Sequence, residues 1–293
     1  MTKRGCRRRL DTAELAEDFI SKIFGNRDEA ERIAREIVQA EITLAKLERE
    51  PTKTSTAYRA QRYRDNEDRE ELCDQILSEL IQYEQLEHDD DICMGKGGAK
   101  PKEPQKEQIA YIVIGAPASG KSSVSDALAR NHGAYILDPD YAKRKFPEYT
   151  VYEGGASLLH EESREIVLGG DHSLLEYCLY NDYNVVIPLV GRTQKTVEEI
   201  CDRLQAAGYK IHIVNVALDR YKCTQRAFRR FAESKRYVPL SYVFDEVGNE
   251  PELVYFRLKR AHEKEYESFS QLSTDVAKGQ APNILEKSGN SPY

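Results

Sequence analysis

Eight consecutive residues, Gly115, Ala116, Pro117, Ala118, Ser119, Gly120, Lys121 and Ser122, follow the phosphate-binding pattern G-x-x-x-x-G-K-[ST]. Glycines at those positions let backbone N–H groups turn inward around phosphate oxygens, and a helix starting at the end of the loop adds partial positive charge. Lys121 is spaced to reach the β- and γ-phosphates of a nucleotide. The Ser122 hydroxyl is spaced to ligate a magnesium ion, and Ser123 extends the nucleotide-binding stretch. Downstream, Asp138-Pro139-Asp140 closes a second apolar run. Asp140 can accept the proton of an attacking hydroxyl, or it can N-cap the helix that follows. Arg226, Arg229, Arg230 and Arg236 then offer planar guanidinium groups suited to phosphate. Arg229 and Arg230 are adjacent, so at most one of them points at a nucleotide.

These groups need a scaffold that brings them to one edge. Tyr111-Ile112-Val113-Ile114 reads as a buried strand ahead of the loop, and Val124, Ala127 and Leu128 continue at helical spacing. Beyond it strands and helices alternate: strand 134–137, helical stretches to about 179, strand 184–190, helix 196–207, strand 211–217, helix 220–232 and a last helix over 252–269. Such alternation predicts an α/β fold of the P-loop NTPase type, a mostly parallel sheet with helices on both faces and ligands at the carboxyl ends of the strands. Ahead of it, residues 1–88 read as a small all-α module with helices at about 11–25, 28–49 and 68–87, and a weaker one over 54–64. Residues 89–108 lose periodicity and collect Asp89-Asp90-Asp91, glycines and prolines, which predicts a flexible, solvated linker. The P-loop domain then spans 109–275, and 276–293 reads as a mobile tail with a short edge strand at 283–285.

The 293 residues carry a formal net charge of −7 and 32% charged side chains. That balance disfavours a nucleic-acid coat or a membrane-surface role, so an anionic ligand must be captured by local cations. No stretch has the length and apolarity of a transmembrane helix or signal peptide, and a cytoplasmic location is expected. The six cysteines form no C-x-x-C pair, so neither a disulfide framework nor a zinc site is indicated.

Asp138-Pro139-Asp140-Tyr141-Ala142-Lys143, then Phe146-Pro147-Glu148-Tyr149, His160-Glu161-Glu162-Ser163, Gly191-Arg192-Thr193 and Arg236-Tyr237-Val238-Pro239 resemble, in this order, the zeta-toxin family of P-loop kinases. The resemblance covers about 109–250. It implies transfer of the γ-phosphate of ATP, with Mg2+, to the 3′-hydroxyl of the amino sugar in UDP-N-acetylglucosamine. It also implies roles for Lys121, Ser122 and Arg226 on the nucleotide, Asp140 as base, Arg236 as a catalytic clamp on ATP, and Asp138, Lys143, Glu161 or Glu162, Arg192 and Thr193 on the acceptor side. One departure stands out: the family has an acidic residue after its third strand, where this chain has Pro188-Leu189-Val190. A different hydroxyl acceptor (a nucleoside, a polynucleotide end, an antibiotic) or a weakened, regulatory ATP-binding protein are therefore alternatives. Asp245-Glu246-Val247-Gly248 fits the D-x-x-G of GTPases, but no guanine-reading N-K-x-D accompanies it. Because a helical antitoxin blocks the nucleotide site in this family, the N-terminal helices are expected to be either an internal inhibitor or a packing element. On that expectation residues 105–293 alone should be more active.

Overall fold

The computed structural model describes residues 8–24, 27–47, 50–152, 155–234, 237–277 and 279–293. Helices α1 (Ala13–Phe24), α2 (Arg27–Leu47) and α3 (Asn66–Gln82) come first. Strand β1 (Ile109–Ile114), α4 (Lys121–His132) and β2 (Tyr135–Ile136) follow. Five short helices then run in succession: α5 (Pro139–Lys145), α6 (Glu148–Val151), α7 (Gly155–Leu158), α8 (His160–Leu168) and α9 (Leu174–Tyr180). The chain continues through β3 (Val185–Leu189), α10 (Gln194–Ala206), β4 (Lys210–Ala217), α11 (Arg220–Ser234), α12 (Glu250–His262), β5 (Ser268–Ser273) and β6 (Asn283–Gly289).

The sheet order is β2-β3-β1-β4-β5-β6, with β6 antiparallel and every other pairing parallel. Ile112 lies between Ile187 and Ile213, and β1 is buried from Ala110 onward, as a strand covered on both faces must be. Since β3 and β4 flank β1, the crevice at its carboxyl end opens at the topological switch point, where the phosphate-binding loop sits.

Two expectations about the ends of this domain differ from the structure. The last long helix stops at His262, and Ser268–Ser273 pairs with β4 instead. Apolar spacing through Tyr255, Leu258 and Phe269 fits a helix equally well locally, and ladder pairing with β4 overrides it. Residues 283–289 then form a full edge strand, tied to α12 by the Lys259–Glu286 pair, rather than a mobile tail with three strand residues.

Residues 89–108 are likewise packed. Ile92 and Ala99 belong to the core that surrounds β1, and Ile136 donates its N–H to the Ala99 carbonyl at 3.1 Å. The buried Lys145 ammonium holds the turn from beneath, donating to Glu79 at 2.8 Å and to the Cys93 carbonyl at 3.0 Å. Glycine- and proline-rich composition suits a tight anchored turn as well as a linker, and only tertiary partners such as Lys145 distinguish them. Asp89 and Asp90 are also engaged, both with Arg144 and Asp90 with Arg230 as well. The 54–64 stretch is mostly turns with one 3₁₀ segment, organised by Arg59, which donates to the Thr52 carbonyl at 2.7 Å and to Asn66 Oδ1 at 2.8 Å.

The packing of α3 has an electrostatic cause. Arg69 donates to Glu162 through Nε at 2.8 Å and Nη2 at 2.7 Å, and to Glu148 through Nη1 at 2.8 Å. The three side chains are 3%, 6% and 1% exposed, and Phe146 covers the guanidinium face. Burial alone disfavours the Arg69 charge, but the two carboxylates more than offset it and its pKa is raised. Arg69→Met should leave two buried carboxylates without their cation and cost about 3–5 kcal/mol. Urea unfolding of the variant measures this, and a loss under about 1 kcal/mol contradicts it.

The hairpin of α1 and α2 joins a second core instead, with Phe228, Phe231, Tyr237 and Phe244. By packing, the break in the N-terminal helices therefore lies near residue 50, between this hairpin and the α3 region, which is built into the α/β body.

Candidate active site

The 115–120 loop links β1 to α4. Gly120 takes φ +93°, a left-handed conformation that favours glycine, and an added Cβ would stand 3.1 Å from the Thr274 methyl. No side chain caps α4, so the first-turn N–H groups that lack helical acceptors are left for an anion. Lys121 Nζ donates to the Gly115 and Ala116 carbonyls of its own loop, at 2.7 and 2.8 Å. Burial pushes its pKa down to about 8 although Asp138, Cys223 and Asp140 pull it up. The Ser119 hydroxyl is buried with no partner. An uncapped helix start, a disfavoured ammonium and an orphaned hydroxyl fit a loop completed by a polyphosphate.

On one side, Asp138 lies two residues beyond β2 and N-caps α5, its Oδ1 accepting the Asp140 N–H at 2.9 Å with Pro139 at the first helical position. The cap is thus Asp138 and not Asp140. Burial, reinforced by the Asp140 charge, pushes Asp138 up to about 6. Asp140 accepts from Lys143 Nζ at 2.7 Å. Burial disfavours the Lys143 ammonium, but Asp140 outweighs it and the pKa is raised.

On the other side, Arg226 reaches the loop indirectly. It donates through Nη2 to the Thr274 carbonyl at 2.7 Å, while Thr274 Oγ1 donates to the Ser119 carbonyl at 2.5 Å. Sequence reasoning missed Thr274, which lies beyond the helix read to Phe269, in a stretch with no motif to mark it. Cys223, three residues before Arg226 on α11, lies close enough to Lys121 for each to perturb the other's charge.

The other residues singled out in the sequence separate. Glu162 is committed to Arg69 and to the Thr52 hydroxyl, and Glu161 is exposed at the surface. Thr193 caps α10, accepting the Thr196 N–H at 3.3 Å. Arg192 pairs with Glu246 across the crevice. Arg229 is exposed, and Arg230 donates to Asp90 at 3.2 Å. Arg236 lies outside the described residues.

A mostly parallel sheet with a P-loop at its switch point and paired carboxylates just beyond the next strand defines a P-loop phosphotransferase. The zeta toxin family model matches residues 96–261, more than half of the chain. The chain therefore belongs to the zeta toxin family, and it is a kinase of that family. Among solved structures it is similar to one from the PezAT chromosomal toxin–antitoxin system of Streptococcus pneumoniae. That match has a TM-score of 0.52 and 16% identity over 76% of this chain and 81% of that one, a likeness of fold. Weaker matches are the AvrRxo1-ORF1:-ORF2 complex (TM-score 0.45, 14% identity, 83% and 70% covered) and a putative kinase from Chloroflexus aurantiacus (0.34, 18%, 47% and 76%). Comparison with curated protein sequences gives no match. Among the described residues no helix is long and apolar enough to cross a membrane.

Proposed function

We propose that this kinase transfers the γ-phosphate of ATP to a sugar hydroxyl of a nucleotide sugar, the 3′-hydroxyl of UDP-N-acetylglucosamine being the favoured acceptor. The observation that carries the reading is the Asp138–Asp140 pair at the start of α5, just beyond β2, near enough for both charges to act on Lys121. ATP would be held by residues 115–123 and Mg2+ by the Ser122 hydroxyl, the ion supplying charge neutralisation on the phosphates when bound. Asp140 takes the proton of the acceptor hydroxyl as that oxygen attacks. Lys121 exchanges its two loop carbonyls for phosphate oxygens, and Arg226, steadied on Thr274, faces the same loop. Lys143 holds the Asp140 carboxylate in place. Incubation with ATP, Mg2+ and a panel of nucleotide sugars, read by mass spectrometry, tests the reading. Hydrolysis of ATP with no phosphate on any sugar counts against it.

The α1–α2 hairpin is proposed to restrain the kinase from within. Its core includes Ala116 and draws in Ala118, Val190 and Leu218, residues that follow β1, β3 and β4 at their carboxyl ends. It grips α11 through Phe24 on Phe228 and Gln225 on the Ile23 carbonyl, and α2 touches α7 on the acceptor side. A chain starting at 105 would lose α3, Ile92 and Ala99 from the main core, so truncation there removes structure as well as the hairpin. Deleting residues 1–49 is the informative change: kcat/KM should rise, and equal or lower activity in a deletion variant with native circular dichroism contradicts the restraint.

A further inference from the structure

We propose that Tyr242, Glu246 and Arg192 form a hydroxyl-reading subsite for the phosphoryl acceptor, with Glu246 as its specificity-determining acid. The proposal rests on the kinase reading but leaves the identity of the acceptor open.

Residues Tyr242–Val247 form a single π-helical turn that ends at Gly248. Such turns are rare and concentrate at functional positions, because they sacrifice regular hydrogen bonding to re-aim side chains. Here the two acids of the turn diverge. Asp245 faces the N-terminal segment and pairs with Arg8 at 2.9 Å, while Glu246 accepts from Arg192 Nη1.

Arg192 starts from the opposite bank of the crevice. Gly191 before it has φ +67°, and an added Cβ would stand 2.9 Å from Ile114 Cβ. The loop after β3 is thus pressed against the end of β1, and Gly115, the first residue of the phosphate loop, donates its N–H to the Leu189 carbonyl at 3.2 Å. The Arg192–Glu246 pair therefore bridges the crevice beside the phosphate loop. Its side chains are 34% and 21% exposed, neither sealed in a core nor free in solvent.

Tyr242 lies on the same turn as Glu246, and its hydroxyl is affected by both banks. Burial raises its pKa, and the charges of Arg192, Glu246 and Lys143 act on it as well, Lys143 being bonded to Asp140. The polar groups here are thus two ion pairs, Asp140 with Lys143 and Arg192 with Glu246, and the Tyr242 phenol. A phosphate-binding strip would carry surplus positive charge. Glu246 cancels Arg192, which leaves a carboxylate, a phenol and a guanidinium that suit neutral donors and acceptors such as neighbouring sugar hydroxyls or an amide. The stretch Pro188-Leu189-Val190 brings no carboxylate to this crevice, and the π-turn supplies one from the other bank.

The test uses the full chain with ATP, Mg2+ and four acceptors: UDP-N-acetylglucosamine, UDP-glucose, N-acetylglucosamine and uridine. Labelled phosphate transfer is followed beside acceptor-free ATP hydrolysis. Glu246→Gln should raise the acceptor KM at least about tenfold, as expected for losing a hydrogen bond to a charged group. The KM for ATP, the hydrolysis rate and the melting temperature should be unchanged, and Glu246→Asp should recover part of the loss. An unchanged acceptor KM overturns the subsite. So does a parallel fall in hydrolysis and melting temperature, which would make the pair a brace between two loops. Wild-type transfer only to uridine or free sugar, with the same Glu246→Gln penalty, upholds the subsite and overturns the nucleotide-sugar reading. Wild-type transfer to none of the four overturns both.

Discussion

Lys121→Ala should lower phosphoryl transfer by at least about 10²–10³-fold, the scale for removing one preorganised donor from a developing charge. The fold should survive, because the lysine is held only by its own loop and burial already disfavours its charge. The depressed pKa also sets a pH dependence with a definite sign. Between about 8 and the ordinary value of 10.5 the unfolded lysine holds a proton that the folded one has lost, so this group makes the fold more stable as pH rises through that window. Phosphate binding runs the other way, since it requires the ammonium. ATP affinity should therefore weaken as pH rises through about 8, by up to about tenfold per pH unit if the bound phosphates restore the ordinary pKa. Calorimetry near pH 8.5 in buffers of differing ionisation enthalpy should detect proton uptake on ATP binding. Binding without uptake, or an Ala variant with unchanged turnover, would falsify the assignment of Lys121.

Asp140→Asn should cut kcat by about 10²–10⁴, the usual range for losing a general base, while ATP binding stays within about threefold of wild type. The amide keeps the shape and can still accept from Lys143, but it cannot take a proton. Asp138→Asn is the control that separates the two carboxylates. Asp138 Oδ1 caps α5, and the amide oxygen of Asn caps a helix about as well, so the helix should hold and kcat should fall much less. Rapid-quench measurement of the transfer step in both variants decides the matter. If Asp138→Asn is the severe change and Asp140→Asn is mild, the base is Asp138, whose raised pKa near 6 would then be its working feature.

Much of the site could be read along the chain because its parts are local. The phosphate loop, its strand and its helix occupy one continuous stretch, and backbone geometry there depends on residues a few positions apart. The Asp138-Pro139-Asp140 segment is legible for the same reason, although which aspartate caps the helix depends on one hydrogen bond that pattern alone does not reveal. Arg226 stands out by residue type, but its tie to the loop through Thr274 does not, since those residues are 48 apart in the chain.

The amino-acid sequence by itself determined an α/β fold with a P-loop and where that loop begins, because hydrophobic period and glycine spacing encode strand, turn and helix locally; the kinase activity was read from the resemblance to the zeta-toxin family. Only the tertiary structure decided what the charged residues are for. It sank Glu162 into a triad with Arg69 and tied the acidic turn at Asp89 and Asp90 to Arg144 and Arg230. It also brought Glu246 to Arg192 from the far side of the crevice. Each of these pairings is made between groups more than fifty residues apart, and a charge carries no mark in sequence of the partner that will neutralise it. The same holds at the start of β5: Ser268 and Phe269 suit the end of a helix or the start of a strand, and the edge of β4 selected the strand.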